Sequence, residues 1–188
     1  MLRTVTPSAA DPVSLAEAKK HLRVVVDDDD TLIEGLISAA RSVAEDYVQR
    51  RFVEQTVEWV LNDWHCGDIR LPIAPVAKDG VTSVKYIDMD GNEQTLSTSL
   101  YVVQTWGHSV RIIPSFGAVW PLVLSASPEP IVIRFTVGVA VDKVAPNVKA
   151  AINLMLGHLY ENRESVVIGA IAMELPQSSQ MLLLSEVW

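Results

Sequence analysis

The residues whose types suggest chemistry lie together in one short predicted turn. His65 and Cys66 are adjacent, with Asp63 and Asp68 on either side. Imidazole, thiolate and carboxylate groups all bind zinc, but one His and one Cys adjacent in a turn do not supply a tetrahedral set of ligands. The four histidines are scattered, and none forms an H-E-x-x-H pair. The sequence therefore favours an ordinary turn, and no metal site is predicted.

Cys66 is also the single candidate for a thiol nucleophile. A reactive thiol needs a nearby base and an electropositive setting. His65 is its neighbour in sequence, but adjacent side chains on an extended backbone point to opposite sides, so a structural cysteine is the better interpretation. The serines lie in no nucleophile-elbow pattern, and the two glycine-rich phosphate-binding motifs are absent. We therefore predict no catalytic residue, no cofactor and no enzymatic activity.

The acidic run Asp27–Asp30 resembles a fragment of a calcium-binding loop. An EF-hand loop, however, needs oxygen ligands at alternating positions, a central Gly and a final Glu, and these are missing here. Negative charge just before a helix is typical of an N-terminus, because it suits the positive end of the helix dipole. The run is therefore interpreted as a helix cap.

Aromatic and apolar residues in loops and near the C-terminus indicate contacts with other proteins. Trp106, Trp120 and Trp188 lie in loop-like or terminal positions, and aromatic residues are enriched at protein interfaces. The final residues, MLLLSEVW, are too apolar for a free tail. This segment docks either on its own domain or on a neighbouring chain, and the sequence leaves both alternatives open.

Length and composition limit the class of protein. The chain has 188 residues, of which 49% are hydrophobic and 20% charged, which fits one domain or one domain with an insertion. No apolar run reaches the ~18 residues that span a bilayer, and the N-terminus lacks the apolar core of a signal peptide. A single cysteine suits a reducing compartment. The net charge of −8 argues against a protein that grips nucleic acid, but not against one that lets DNA pass.

Helices are predicted at both ends of the chain. Ser14 and Glu17 form a capping-box pair that starts a short helix ending near Leu22. A longer amphipathic helix follows the acidic run, and its apolar residues fall within an arc of about 160°, which is wide enough to face a core. The opposite arc is polar and is expected to be free; it includes Glu34, Arg41, Glu45 and Gln49. Pro146 opens a second long helix, and residues 177–187 suggest a short terminal one.

The middle of the chain changes from helical to strand periodicity. Alternating or β-branched runs predict strands at about 57–61, 69–73, 81–88, 92–96, 101–103, 110–113 and 131–137. Asp90-Gly91 predicts a tight hairpin turn, because both residues tolerate a positive φ. Pro7 and Pro12 predict an irregular arm at residues 1–13. The order of elements predicts an α+β fold: a helical core at 14–52 and 141–164, an inserted antiparallel β module at 53–140, and a C-terminal docking segment at 165–188.

Three segments in order resemble one known family. The first is SLAEAKKHLRV with DDDD and an LI-x-x-LI-x-AAR pattern; the second is IRLPIAPV with VTSVKYIDMDGNEQTLSTSLYVV; the third is P-x-x-V-x-AAI-x-LM-x-x-LYENRE with ELP and LLL. Together they resemble the head–tail connector, or adaptor, proteins of tailed bacteriophages, in the longer members that carry a β insertion. The resemblance runs from about Ser14 to Leu184. Residues 76–80, VAKDG, and 185–188, SEVW, depart from the usual family pattern.

This resemblance implies a structural protein of the virion neck, assembled in the host cytoplasm. It implies a ring of about twelve copies, closed by a head-to-tail contact between subunits. The implied partners are the portal protein and the next connector or tail-completion protein, with no membrane involved. Double-stranded DNA would pass through the ring without specific binding, and an acidic chain suits such a channel because it repels phosphates.

Two sets of contact residues follow from the resemblance and the pattern together. The candidates for portal docking are Leu175, Met181, Leu182, Leu183, Leu184 and Trp188. The candidates for contacts between subunits are Glu34, Arg41, Glu45, Trp106 and Trp120. Two alternatives remain: another tail-completion or stopper protein, and a small ligand-binding or enzymatic domain built on the β module. A deep pocket with convergent polar groups would favour the second alternative.

Overall fold

The chain forms two compact units in the computed structural model. This structure describes residues 1–64, 67–106, 109–162 and 177–184, and at residues 77, 78 and 106 it describes the backbone only. The β unit consists of Met1–Ala9 and Glu54–Val139, and the helical unit of Ala10–Val53 and Ala140–Trp188. The α+β class predicted from the sequence is confirmed.

Four helices are described in the helical unit: α1 (Leu15–Leu22), α2 (Asp30–Val48), α3 (Pro146–Glu161) and α4 (Gln177–Leu183). The predicted capping box of α1 is present. The Glu17 backbone N–H donates to Ser14 Oγ over 3.3 Å, and the Ser14 N–H donates to the Glu17 carboxylate over 3.0 Å. Pro146 occupies the first turn of α3, as predicted. None of the helices in the described ranges is long and apolar enough to cross a membrane.

The core of the helical unit is formed by α2 packing against α3. The buried residues are Ile33, Ile37, Ala40, Ala44 and Val48 of α2 and Val148, Ala151, Ile152, Met155 and Leu156 of α3. The apolar stripe predicted for α2 therefore faces a core. It is wider than the face that becomes buried, because Leu32, Val43 and Tyr47 on one side of it remain exposed.

The acidic turn before α2 is held by side chains from other elements. Asp29 occupies the N-cap position, but its side chain makes no capping hydrogen bond. Instead, Tyr160 of α3 donates its hydroxyl to the Asp29 carboxylate over 2.6 Å. Lys19 of α1 donates to Asp27 and to Asp30, also over 2.6 Å each. The turn thus joins three helices. The expectation of a side-chain cap is corrected, because the Asp29 side chain makes no capping hydrogen bond.

The described residues of the β unit form eight strands in two antiparallel sheets. They are β1 (Leu2–Thr6), β2 (Gln55–Leu61), β3 (Ile69–Arg70), β4 (Val76–Ile87), β5 (Glu93–Thr95), β6 (Tyr101–Trp106), β7 (Ser109–Pro114) and β8 (Ile131–Val137). The larger sheet has the order β1-β2-β8-β4-β5, and the smaller one the order β3-β7-β6. The predicted hairpin joins β4 to β5, with Gly91 at φ 84° in its turn.

The first residues of the chain form a strand rather than an irregular arm. Leu2 pairs with Trp59 and Thr4 with Val57, so β1 becomes the edge strand beside β2. Pro7 prevents helix formation but leaves residues 2–6 free to adopt an extended backbone, and these residues are rich in β-branched side chains. The expectation of an irregular arm is therefore wrong for this stretch.

One buried cluster joins the two sheets of the β unit. Ile131, Ile133, Phe135 and Val137 alternate along β8 and are completely buried. They share the cluster with residues of the smaller sheet, including Ile69 and Ile112. An alternating pattern places every second side chain of β8 on the same face, and this explains why these four residues are buried together.

Candidate functional site

The candidate functional features of the described residues are surfaces for contact with other proteins. Within its described ranges, no group of three His, Cys, Asp or Glu residues is arranged to hold a metal ion. His65 and Cys66, which the sequence analysis weighed as a metal site and as a nucleophile, lie outside the described residues. The residues proposed for contacts with other subunits and with the portal are therefore considered one surface at a time.

The docking candidates on α4 divide into an inward and an outward face. Leu183 is completely buried, and α4 packs against α3. Asn147 of α3 donates its side-chain amide to the Leu182 carbonyl over 3.0 Å. Met181 and Leu184 remain 72% and 59% exposed. The described part of the C-terminal segment thus docks on its own unit and presents two apolar side chains outward; Leu175 and Trp188 lie outside the described residues.

Glu45 departs from the free polar face expected on α2, because it is 5% exposed. After α2 the chain turns at Gln49, which adopts a left-handed conformation with φ 54°. This turn brings the Phe52 backbone N–H to the Glu45 carboxylate, to which it donates over 2.8 Å. Burial raises the pKa of Glu45, although the Phe52 hydrogen bond and the nearby Arg41 and Arg51 act in the opposite direction.

The other two polar candidates on α2 have different surroundings. Arg41 is half-buried and forms an ion pair with Asp11 over 2.8 Å. Ser38 also donates to Asp11, over 2.9 Å, so this carboxylate fastens the segment before α1 to α2. Glu34 is exposed. Two of the expectations are therefore corrected: Glu45, expected on the free face of α2, and Leu183, expected to dock on the portal, are both buried within their own unit.

Trp120 is packed within the β unit rather than presented outward. Its ring stacks on that of Trp64, with centroids 4.8 Å apart and planes 9° from parallel. The Trp64 indole N–H donates to the Pro121 carbonyl over 2.8 Å. Trp64 also lies against Tyr86 of β4, at a centroid distance of 6.2 Å. Of Trp106, the structure describes only the backbone, at the end of β6.

Several apolar residues close to Trp120 in sequence are strongly exposed. We call residues 115–122 the apolar loop. Phe116 is fully exposed, and Val119 and Leu122 are 83% and 79% exposed. Trp120 was predicted from its sequence context as a contact residue, and these three neighbours were not. The available signal was the uncharged stretch that runs from residue 112 to residue 128.

An ion cluster on the larger sheet fixes β1 in place. Glu58 of β2 accepts hydrogen bonds from Arg3 of β1 and from Arg134 of β8, both over 2.8 Å. Arg3 also forms an ion pair with Glu129. Burial alone would raise the pKa of Glu58, but the two guanidinium partners outweigh it and lower that pKa. The buried charge of Glu58 is thus paired with two arginines, and we interpret this ion cluster as structural.

Comparison with known sequences finds a match to one family over the first part of the chain. Residues 12–72 match the sequence model of a family described as "Phage gp6-like head-tail connector protein". The chain resembles head–tail connectors. The match to the connector family spans α1, α2, β2 and β3, and it confirms the resemblance found in the sequence. No curated protein sequence matches the chain.

Solved structures extend the similarity to the whole chain. The first is titled "Virion of native gene transfer agent (GTA) particle", with 23% identity, a TM-score of 0.81, and coverage of 100% of this chain and 95% of that chain. The second is titled "Neck of native GTA particle computed with C12 symmetry", with 23% identity, a TM-score of 0.79, and coverage of 100% and 94%. The third is titled "Neck of empty GTA particle computed with C6 symmetry", with 23% identity, a TM-score of 0.78, and coverage of 97% and 94%. At this identity, the similarity shows a shared fold.

Proposed function

We propose that this protein is a structural component of the neck of a tailed, phage-like particle. The observation that carries the proposal is the fold shared along nearly the whole chain with proteins of a particle neck, together with the connector match at residues 12–72. In this role it forms a ring that joins the capsid portal to the tail or to the next connector. Double-stranded DNA passes through the ring. The role is structural, and no residue is assigned to catalysis.

A ring of about twelve copies is part of the proposal. Identical subunits in head-to-tail contact form a closed ring when the rotation between neighbours closes. The symmetries named for two of the similar structures, C12 and C6, support such an arrangement. The net charge of −8 supports passage of DNA without retention, because retention requires cationic side chains that neutralise phosphates. The ring is proposed to assemble in the host cytoplasm.

Portal docking is assigned to the outward face of α4. Met181 and Leu184 are exposed apolar residues on a helix that is itself held by the burial of Leu183 and by the Asn147 hydrogen bond to the Leu182 carbonyl. A helix that presents an apolar face is a common way to fill a hydrophobic groove on a partner. Leu183 and Leu182 therefore position the helix, and Met181 and Leu184 make the contact.

The proposal is tested by mixing the purified chain with purified portal rings and imaging the product by electron microscopy. We expect a ring of added density on the portal. The Met181→Ser/Leu184→Ser variant should bind the portal at least tenfold more weakly, because exposed apolar anchors carry much of the binding energy of such contacts. Met89→Ser is the matched control, since Met89 is a similarly exposed apolar residue of the β unit.

Three results would count against parts of this proposal. If no complex with the portal forms at any concentration, the connector role is contradicted. If the chain binds only a tail-side protein, it is a stopper or tail-completion protein instead. Undiminished portal binding by the Met181→Ser/Leu184→Ser variant would contradict the assignment of α4 while leaving the connector role in place.

A further inference from the structure

The apolar loop is fastened to the β unit at both of its ends. At its start, the Ser115 N–H donates to the Leu100 carbonyl over 3.0 Å. At its end, the Trp64 indole donates to the Pro121 carbonyl, and Trp120 stacks on Trp64. Just beyond the loop, the Leu124 N–H donates to the Ile87 carbonyl over 3.0 Å.

The tip of the loop is shaped by a tight turn. The Ala118 N–H donates to the Ser115 carbonyl over 2.8 Å, and Gly117 adopts φ 78°, a region that side chains with a Cβ rarely occupy. This turn directs Phe116, Val119 and Leu122 to the solvent. A surface that is already ordered binds with a smaller loss of conformational entropy than a flexible one. The apolar loop is thus built as a preformed contact.

The exposed area of the loop is suited to an anchor within a larger assembly. A Phe side chain alone offers roughly 150–250 Å². With Val119 and Leu122, the patch falls in the range of about 300–600 Å² that marks the largest apolar patch on a typical monomer. A stable pairwise interface buries about 800 Å² on each partner, so this loop alone would hold two free copies together weakly.

The charge of the chain favours one kind of binding partner for the apolar loop. Residues 112–128 contain no charged side chain, so the loop has no cation with which to bind a phosphate backbone. A protein of different sequence would best recognise a chain of net charge −8 through a basic surface. Two identical acidic chains repel each other, and the repulsion is smallest where the contact surface carries no charge.

We propose that the apolar loop of one copy packs against a neighbouring copy of the same chain and forms a contact between subunits of the ring. This inference rests on the proposed function. It also assigns a different role to Trp120: this residue positions the loop, and Phe116, Val119 and Leu122 make the contact. A closed ring requires a head-to-tail contact, so the proposed ring has the loop of each copy pack against a different surface of its neighbour.

The test is the self-association of the whole chain, measured by sedimentation from about 1 µM to about 1 mM, where weak interfaces become populated. We expect the wild-type chain to associate in a concentration-dependent manner. The Phe116→Ser/Val119→Ser/Leu122→Ser variant should associate at least about thirtyfold more weakly, as expected when the anchors of an interface are removed. All three side chains are exposed, so circular dichroism should show an unchanged fold.

The matched control is Val5→Ser/Met89→Ser, which removes two exposed apolar side chains of the same β unit outside the loop. This variant should associate as the wild type does. The inference is overturned if the loop variant associates as strongly as the wild type, or if the wild type stays monomeric over the whole range. It is also overturned if the loop variant self-associates normally but loses binding to the portal or to the next neck protein, because the loop then serves a different partner.

Failure of this inference can be told apart from failure of the proposed function. Undiminished self-association of the loop variant, with binding to the portal retained, would contradict the loop contact and leave the connector role standing. Loop-dependent self-association with no binding to the portal would support the loop contact and contradict the connector role.

Discussion

The buried carboxylate of Glu45 stabilises the C-terminal end of α2. Glu45 accepts the Phe52 backbone N–H over 2.8 Å, and Arg51 lies 3.7 Å from its other oxygen. Because this backbone group lies beyond the helix end, Glu45 fixes the direction in which the chain leaves α2. Burial costs the charged form some stability, and this is why the pKa of Glu45 is raised.

Two substitutions separate the hydrogen bond of Glu45 from its charge. Glu45→Ala should lower the free energy of unfolding at neutral pH by about 1–3 kcal/mol, because the buried Phe52 N–H loses its acceptor. Glu45→Gln keeps an acceptor oxygen and should cost less. Urea unfolding of both variants measures the difference. Equal losses in the two variants would show that the charge, rather than the hydrogen bond, stabilises this end of α2.

The raised pKa of Glu45 also predicts the sign of a pH effect. The folded state holds the Glu45 proton more tightly than the unfolded state does, so the contribution of this residue to stability is largest below the ordinary pKa of 4.5. It falls as the pH rises through the folded pKa. Glu45→Gln does not titrate and should remove this decline from a series of unfolding curves at increasing pH. A wild-type chain whose difference from Glu45→Gln is constant over this range would contradict the prediction.

At the scale of elements, the edge strand β1 depends on one buried carboxylate. Glu58 connects Arg3 of β1 to Arg134 of β8, so a single side chain ties three neighbouring strands together. Both arginine side chains are partly exposed, at 39% and 44%, so solvent screens each pair and the cluster is worth less than a fully buried one.

Glu58→Gln should therefore destabilise the chain by about 1–3 kcal/mol at neutral pH, since two guanidinium groups lose a charged partner. Glu129→Gln is the matched control: among the described residues Glu129 pairs with Arg3, and Glu129 is 44% exposed, so its loss should cost no more than about 1 kcal/mol. The lowered pKa of Glu58 means that its stabilising effect is present above pH 4.5 and is lost as the pH falls through the folded pKa. Acid unfolding that begins at the same pH in Glu58→Gln and wild type would contradict this assignment.

At the scale of the whole molecule, the net charge of −8 determines how the chain meets nucleic acid. Proteins that hold duplex DNA release condensed counterions by placing Lys and Arg beside phosphates, and this chain has an excess of acidic residues. A ring built from such subunits gives DNA a surface along which it can move.

We therefore expect no retention of duplex DNA by the protein at physiological salt, up to about 100 µM, the weak end of ordinary non-specific binding. Fluorescence anisotropy of a labelled duplex measures this directly. An unrelated basic DNA-binding protein serves as the positive control. Salt-sensitive binding in the micromolar range would show that a basic surface is concentrated somewhere on the chain and would contradict a passive channel.

The sequence by itself determined the features that arise between neighbouring residues. The capping box at Ser14, the start of α3 at Pro146, the hairpin turn at Asp90-Gly91 and the alternation along β8 depend on helix periodicity, turn chemistry and strand pleat. These local signals were sufficient for the α+β class. The family resemblance came from the order and spacing of three segments.

Only the tertiary structure decided which of the chemically suitable residues are free to act. Residues 2–6 became a strand because β2, more than fifty residues away, offers an unpaired edge. Glu45 became buried because the chain folds back on α2, and Trp120 turned inward because Trp64 lies beside it to stack. Helical and strand periods describe neighbours along the chain, whereas these outcomes depend on contacts between residues far apart in sequence. For this reason Phe116, Val119 and Leu122, unremarked in the sequence, form the surface on which the proposed contact between subunits rests.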